Sequence, residues 1–365
     1  MRILILHNRY RHPGGEDAVV KAEAKLLRDS GQEVHVFECS NEEIAKYSFF
    51  KKIVFMLQLG WSRSSYNEVR KIIKKFKPDV VHCHNIFFIL TPSVYQACID
   101  ESVAVVQSLH NFRPLCINAL LLREGKICEK CSEKKNFFNG IIYRCYKNSF
   151  LMSFYMAIIF TIYNLKRVWQ NKISCFIAST EFGRRKYAQY GFDESKICVK
   201  PNINIATNIE VGVDEGYALY VGRLSQEKGV QVLLDAWSDI NLPLKIVGSG
   251  PLLGESKKYI KDKNICNVEF LGFVESEDYD KYMKGAKFLV VPSVCYENFP
   301  RVIAEAFTYG IPVVASDLGS MPEIIEEQVG LLFERGNSES LNEKIKHLLA
   351  NEDKTAKMRE NIRKQ

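Results

Sequence analysis

Three stretches in the second half of the chain carry residue types suited to binding phosphates and hydroxyls. In Tyr220-Val221-Gly222-Arg223-Leu224-Ser225-Gln226-Glu227-Lys228-Gly229 an apolar run meets a glycine turn, then an arginine and a lysine, then a helix start. Glycine lets the backbone approach a ligand, and a helix start offers free N–H groups. Arginine forks onto phosphate oxygens while lysine acts as a point charge. The chemistry is a diphosphate clamp; the plain alternative is a surface turn with two solvated cations. Ile246-Val247-Gly248-Ser249-Gly250-Pro251 repeats the strand-then-glycine pattern. By itself such a pair is often only a turn. In Tyr296-Glu297-Asn298-Phe299-Pro300-Arg301-Val302-Ile303-Ala304-Glu305-Ala306, Pro300 suits a first helical turn and Asn298 a cap. Amides at 298–301 then face the ligand. Glu297 and Glu305 are placed to accept hydrogen bonds from hydroxyls at its two ends. The alternative is a capped surface helix with two unrelated glutamates.

The first half offers fewer signals. Pro13-Gly14-Gly15-Glu16 lies between the first strand and a helix, and His110 ends a strand in Leu109-His110-Asn111-Phe112. His82 and His84 end the preceding strand and read as satisfied polar residues. Cys116, Cys128, Cys131 and Cys145 stand apart from the other seven cysteines, the middle pair as Cys-x-x-Cys. Four such residues suit a structural zinc, with four reduced thiols as the alternative. A catalytic zinc is not expected, since four thiolates leave no open position. No Asp-x-Asp pair is suited to hold a divalent metal on a diphosphate, so no catalytic metal is expected.

Strands and helices alternate to position these residues. In the first half the strands are Arg2–His7, Glu33–Glu38, Asp79–His84, Val103–Leu109 and Ile173–Ser179, with helices including Asp17–Asp29, Tyr66–Phe76 and Phe182–Tyr190. In the second half they are Ala218–Val221, Leu244–Val247, Val268–Leu271, Phe288–Val291, Pro312–Ala315 and Leu331–Phe333. Helices near Val230–Trp237, Asp278–Met283, Arg301–Thr308 and Leu341–Leu349 separate these. Val- and Ile-rich strands alternating with amphipathic helices imply parallel sheets covered on both faces. The fold class is therefore α/β, with two doubly wound Rossmann-like domains facing across a cleft. Residues 1–200 form the first domain, with a cysteine-bearing insert at about 112–150. Residues 201–216 are the linker and 217–365 the second domain. The length of 365 residues agrees, at roughly 150 per domain.

With 47% hydrophobic and 25% charged residues, the chain is not disordered, collagen-like or a polytopic membrane protein. Residues 1–200 hold 31 basic and 18 acidic residues, and 201–365 hold 19 and 25. A basic half beside an acidic one suggests an anionic partner for the first domain. The opening MRILILHNRY has an apolar run too short for a signal peptide, and eleven cysteines without such a signal read as reduced thiols or metal ligands of a cytosolic protein.

Taken together, these motifs resemble the family-4 retaining glycosyltransferases of GT-B fold, bacterial polysaccharide-biosynthesis type. The likeness rests on Arg223 with Lys228, the Gly-Ser-Gly-Pro turn, Glu297 with Glu305, and Gly310-Ile311-Pro312-Val313-Val314-Ala315-Ser316, in that order. It is strong across 217–335 and looser across 1–200. The resemblance implies that Arg223 and Lys228 hold the donor diphosphate and that Glu305 binds the ribose hydroxyls. It implies that Glu297 binds the donor sugar, beside the amides of Asn298 and Phe299. The turn at Gly272-Phe273-Val274 would contact the base, and Gly248 and Gly250 would approach the nucleotide. Gly14 and Gly15 would form the glycine loop near phosphates and acceptor, with His110 beside the donor sugar. One departure is Asn298-Phe299-Pro300, where many members have Gly-Phe-Gly or Gly-Phe-Pro; it bears on donor preference. The resemblance also implies retention of anomeric configuration without a carboxylate nucleophile. Some bacterial members carry a similar cysteine-bearing insert.

The function implied is a hexosyl transfer from a UDP- or GDP-linked sugar to a lipid-linked saccharide in capsule, exopolysaccharide or lipopolysaccharide synthesis. The expected location is the cytoplasm, peripheral on the inner face of the plasma membrane. Ser48–Leu57, with Trp61 and Arg63, interleaves aromatics with cations and suits an anionic membrane surface. Asn148–Leu165 is uncharged, yet its polar residues and the strand soon after it favour a helix packed on the sheet or lying in the interface over a spanning one. Two alternatives stand. One is a GT-B epimerase or hydrolase, which leaves the glycine loop and His110 unexplained. The other is a non-enzymatic zinc-knuckle protein binding nucleic acid, disfavoured because no helix-turn-helix signature appears. GT-B members usually end in a helix crossing back to the first domain. This sequence ends at Asn361-Ile362-Arg363-Lys364-Gln365, where that crossing would begin, so either the crossing is short or the sequence is a fragment.

Overall fold

A computed structural model of the chain describes residues 1–10, 14–202, 212–274 and 276–364. Pro13 and 203–211 of the expected linker lie outside the described residues. The chain forms two compact units. Unit 1 is Met1–Leu121 with Glu129–Ile205, and unit 2 is Leu122–Cys128 with Ala206–Gln365.

Strands of unit 1 are β1 (Arg2–Arg9), β2 (Glu33–Ser40), β3 (Val80–Cys83) and β4 (Ala104–Leu109). The hairpin strands β5 (Leu122–Arg123) and β6 (Lys126–Ile127) follow, then β7 (Cys175–Ala178) and β8 (Ile197–Val199), again in unit 1. The hairpin is grouped with unit 2, where the Gly125 carbonyl accepts from Arg335 Nη1 at 3.5 Å. The unit 1 sheet runs β2-β1-β3-β4-β7-β8, every pair parallel. Leu4, Ile5 and Leu6 are wholly buried, as a strand covered on both faces requires.

Unit 2 has β9 (Tyr217–Val221), β10 (Leu244–Val247), β11 (Val268–Gly272), β12 (Ala286–Val291), β13 (Val313–Asp317) and β14 (Gly330–Glu334). Their order, β11-β10-β9-β12-β13-β14, is all parallel. Renumbered from one it reads 3-2-1-4-5-6, the dinucleotide-binding order, whereas the first sheet begins 2-1-3-4-5. Ala218, Tyr220, Ile246 and Phe288 face a core with Leu233 and Trp237. Their neighbours Leu219, Val247 and Leu289 face the other side, with Met283 and Ile303. This alternation is the two-period side-chain geometry of a strand.

Helices fall where the periodicity places them, at Gly15–Asp29, Arg63–Phe76, Glu181–Tyr190, Val230–Trp237 and Arg301–Thr308. Phe150–Leu165 is a 16-residue helix, and among the described residues no helix is long and apolar enough to cross a membrane. The final helix, Glu352–Lys364, belongs to unit 2. Arg359 Nη2 anchors it by donating to the carbonyls of Ala286 at 2.6 Å and Lys287 at 3.1 Å.

Candidate functional site

In unit 2 the three loops leaving β9, β10 and β11 are tied together by main-chain hydrogen bonds. Gly222 N donates to Val247 O at 3.0 Å, Leu224 N to Ser249 O at 3.0 Å, and Gly248 N to Gly272 O at 2.7 Å. The contact is close because Gly248 and Gly250 lack a Cβ: a methyl there would meet the carbonyls of Gly222 and Leu224. The three glycine turns are therefore one interlocked structure at the carboxyl ends of neighbouring strands, where parallel sheets bind ligands. Phe273, in the third turn, is 83% exposed, while Val274 packs on the core below.

Reversal of strand order falls between β9 and β12, and the charged groups meet there. Lys228 Nζ donates to Glu297 Oε1 at 2.6 Å. Ser293 Oγ donates to the same oxygen at 2.7 Å, and Ser320 Oγ holds the Glu297 carbonyl at 2.7 Å. Burial pulls Lys228 down, but the Glu297 carboxylate outweighs it, so the ammonium is held above its ordinary value. Arg223 is exposed, at the mouth of the first turn, and Tyr220 Oη donates to its carbonyl at 3.0 Å. Glu305 accepts from Arg301 and from Tyr279 Oη. The helix following Glu297 is Arg301–Thr308, with Pro300 at its N-cap position and no side-chain capping bond. This corrects the assignment of Asn298 as the cap: the chain is still extended at Pro300, two residues later. Arg223, Lys228 and Glu297 thus flank the β9 and β12 ends, and Glu305 lies one helical stretch further on. Ser293, Ser320 and Tyr279 gave no motif signal; Ser320 and Tyr279 are more than twenty residues from the groups they support, and Ser293, four residues before Glu297, is a lone serine.

In unit 1 the expected residues converge on the ends of β1, β3 and β4. The Gly14 amide donates to Asp17 Oδ2 at 2.8 Å, capping the first helix, and Asp17 Oδ1 lies 2.8 Å from His7 Nε2. Burial pushes the Asp17 carboxyl up, and the bonds from His7 and the Gly14 amide outweigh it, leaving it below its usual range. A Cβ on Gly14 or Gly15 would meet nothing within 4 Å, so this loop has room beside it. His110 Nε2 lies 2.8 Å from His84 Nδ1, with the two rings stacked at 5.1 Å. His82 Nε2 lies 2.8 Å from Ser108 Oγ. Both of the earlier histidines are buried and each has one hydrogen-bonded ring nitrogen, His84 through the Nδ1 that orients His110. The expectation that both are satisfied polar residues does not hold for His84, whose buried Nε2 has no hydrogen-bond partner among the described residues. A cavity of about 40 Å³ is lined by Glu16, His84, Gln107, His110, Arg113 and Tyr187.

Glu23 Oε2 lies 3.7 Å from His82 Nδ1 and 3.4 Å from His84 Nε2, and the three ligand atoms lie within 4.8 Å of one another. The other Glu23 oxygen is paired with Lys200, so the carboxylate is neutralised by the chain itself. Asn111 Nδ2 donates to Glu16 Oε1 at 3.0 Å, and the Arg113 guanidinium lies 5.6 Å from the Phe87 ring centre. His7, Asp17, Glu23, Asn111, Arg113 and Lys200 were not singled out from the sequence. Asn111 and Arg113 were within reach, since they follow His110 directly. Among the described residues no cysteine is in a disulfide, and Cys116 and Cys131, both buried, lie near Tyr190.

Burial pulls His82 down to about 4 against the opposing pull of Glu23. It also holds His84 and His110 below their ordinary values. The unfolded chain takes up these protons near pH 6.5, whereas folded His82 does so only near 4. The contribution is therefore complete above that range and is lost as the pH falls through it. For His82 alone it amounts to about 2–4 kcal/mol. Urea unfolding at about pH 7.5 and about pH 5 should show this loss, and His82→Gln should flatten the dependence. An equally steep dependence in the variant would remove His82 from the explanation.

Two six-stranded parallel sheets, each with its polar residues at the strand ends, are the architecture of the GT-B glycosyltransferases. A solved structure of Anabaena HepE in complex with UDP and glucose matches this fold with a TM-score of 0.64 at 18% identity, covering 99% of this chain and 93% of that one. The family model Glycosyltransferase Family 4 matches residues 13–203, and Glycosyl transferases group 1 matches residues 204–365. The chain belongs to glycosyltransferase family 4. Among curated relatives, an uncharacterised glycosyltransferase of Methanocaldococcus jannaschii is 33% identical over 180 residues, 48% of this chain and 51% of that protein. The phosphatidyl-myo-inositol mannosyltransferase of Mycobacterium leprae is 25% identical over 364 residues, covering 93% of this chain and 85% of that protein. The chain spans about half the length, or less, of the first curated relatives it matches.

Proposed function

We propose that the chain is a retaining glycosyltransferase that moves a sugar from a nucleotide-diphosphate donor to a lipid-linked saccharide in cell-surface polysaccharide synthesis. The observation that carries this reading is the Lys228–Glu297 pair at the point where strand order reverses, beside three interlocked glycine turns. A nucleoside diphosphate fits such a place: glycine turns admit its backbone approach, and fixed cations receive its charge. Arg223 and Lys228 hold the diphosphate and stabilise the negative charge that grows on it as the glycosidic bond breaks. Glu297 keeps the Lys228 ammonium charged and, with the Asn298 and Phe299 amides, receives sugar hydroxyls. Glu305 receives the ribose hydroxyls, and exposed Phe273 stacks on the base. Gly14, Gly15 and His110 serve the acceptor side of the donor sugar.

The acceptor attacks from the face that the diphosphate leaves, so the anomeric configuration is kept and no carboxylate nucleophile is assigned. The lipid-linked acceptor is supported by the likeness to the phosphatidyl-myo-inositol mannosyltransferase and by the basic first half. The enzyme acts at the inner face of the plasma membrane. A structural zinc on Cys116, Cys128, Cys131 and Cys145 belongs to the same reading; metal analysis of the purified chain decides it, and less than a tenth of an equivalent would remove it.

The donor site is tested by thermal shift against UDP, GDP, ADP and their sugar conjugates. A ligand present at about 100 times its Kd adds about 2.7 kcal/mol to native-state stability. One diphosphate should raise the melting temperature of the wild type but not of Arg223→Ala or Glu305→Ala. No shift with any nucleotide at millimolar concentration would sink the donor assignment.

A further inference from the structure

Most of the exposed large apolar side chains among the described residues fall in two stretches of unit 1, 49–61 and 138–165. The helix Phe49–Gln58 has the sequence FFKKIVFMLQ, and none of its residues is buried. Phe50 is 79% exposed and Leu57 78%. An amphipathic helix normally hides its apolar stripe against the core, and this one leaves it in solvent. The helix Phe150–Leu165 buries Met156, Phe160 and Tyr163 on one side. On its other side Leu151, Phe154, Ile158, Ile162 and Leu165 are exposed at three- and four-residue spacing, Leu151 at 73%. The two helices are neighbours: Tyr155 Oη donates to the Met56 carbonyl, and Tyr163 Oη to Leu59 O at 3.2 Å and Gly60 O at 2.9 Å.

The charge around these faces has one sign. Residues 44–67 and 134–180 contain no aspartate or glutamate. Lys51 and Lys52 lie on the first helix, Arg144 and Lys147 precede the second, and Lys166 and Arg167 follow it, all exposed. Two copies meeting here would bring these cations against each other, whereas an anionic bilayer offers both an apolar interior and a matching charge.

We propose that these two helices form the bilayer-docking surface of unit 1, with the apolar side chains entering the acyl boundary of an anionic leaflet and the cations binding lipid phosphates. The bilayer replaces the missing core partner, so neither helix needs to span it, in keeping with their lengths of 10 and 16 residues. The inference deepens the membrane partner of the proposed function, yet lipid binding can be read without donor or acceptor.

The test is co-sedimentation of the full chain with vesicles of phosphatidylcholine alone, or with about one-third phosphatidylglycerol. Wild type should partition onto the anionic vesicles at least about tenfold more strongly, and added salt should weaken it. The pair Phe50→Glu with Leu57→Glu, and separately Leu151→Glu, should each cut partitioning by at least about tenfold. Both sets alter exposed positions, so their melting temperatures should match wild type, which separates lost docking from lost folding. The nucleotide thermal shift should also persist, which separates failure here from failure of the donor assignment. Absence of vesicle binding, or binding indifferent to these variants, would overturn the proposal. So would a concentration-dependent dimer that the same variants dissolve, since the face would then cover a second copy.

Discussion

Lys228→Ala lowers kcat/KM for sugar transfer by roughly 10²–10³-fold, the loss seen when one fixed stabiliser of developing charge is removed. The ammonium is the charged group pinned in place at the β9–β12 reversal, with Glu297 Oε1 at 2.6 Å and Ser293 behind it. In water a mobile cation would have to be ordered as the bond breaks; here it is ordered beforehand. Lys228→Arg should recover only part of the loss, because a planar fork does not occupy the place of a compact ammonium. Glu297 keeps the Ser293 hydroxyl in either variant, so unit 2 should remain folded, with a stability cost of about 1–3 kcal/mol for the bond removed. Steady-state kinetics with near-UV circular dichroism would check both. Activity within about threefold of wild type would mean that Lys228 does not carry the leaving-group charge.

Gly248→Ala should strongly destabilise unit 2. Gly248 has φ +133°, and its Cβ would run into the Gly222 carbonyl. That oxygen belongs to the neighbouring turn, which is held by Gly222 N donating to Val247 O, so it cannot swing aside alone. Left-handed strain and a backbone clash together cost roughly 3–5 kcal/mol. For a unit of this size that is a fall of about 10 °C in melting temperature. Gly272→Ala is the control. Its φ is +73°, but nothing lies within 4 Å of its Cβ, so only the strain of about 1 kcal/mol applies. Calorimetry of the two variants should separate them clearly; equal melting temperatures would refute the interlocked-turn account.

The central strands were legible because parallel sheets need continuous apolar runs, and Ile3–Leu6, Leu244–Val247 and Phe288–Val291 supply them. β8, Ile197–Val199, escaped because three residues at a sheet edge carry no periodic signal. The helices Ser93–Asp100 and Leu253–Asp262 also went unassigned; one is short and buried along most of its length, the other has Ser256 as its buried residue. In unit 2, the glycine turns, Arg223, Lys228 and Glu297 were visible, because each motif is local and recurs at a strand end. What could not be seen was pairing across the fold. Lys200 meets Glu23 from 177 positions away, and His84 meets His110 from 26. Such contacts depend on which strands become neighbours, which no local pattern encodes. The exposed faces of the two unit 1 helices are a similar case. Their sequences read as apolar, and only the fold shows which side chains the core declines.

The central claim is transfer of a sugar with retained configuration from a nucleoside-diphosphate donor. Its most direct test uses the nucleotide sugar that stabilises the protein, together with a lipid-linked saccharide acceptor. Proton NMR then reads the anomeric configuration of the product. The account predicts one nucleoside diphosphate released per glycosylated acceptor, and a product whose new linkage has the anomeric configuration of the donor. An inverted linkage would contradict the assignment of attack to the leaving-group face, and diphosphate released with free sugar as the sole product would mark the chain as a hydrolase.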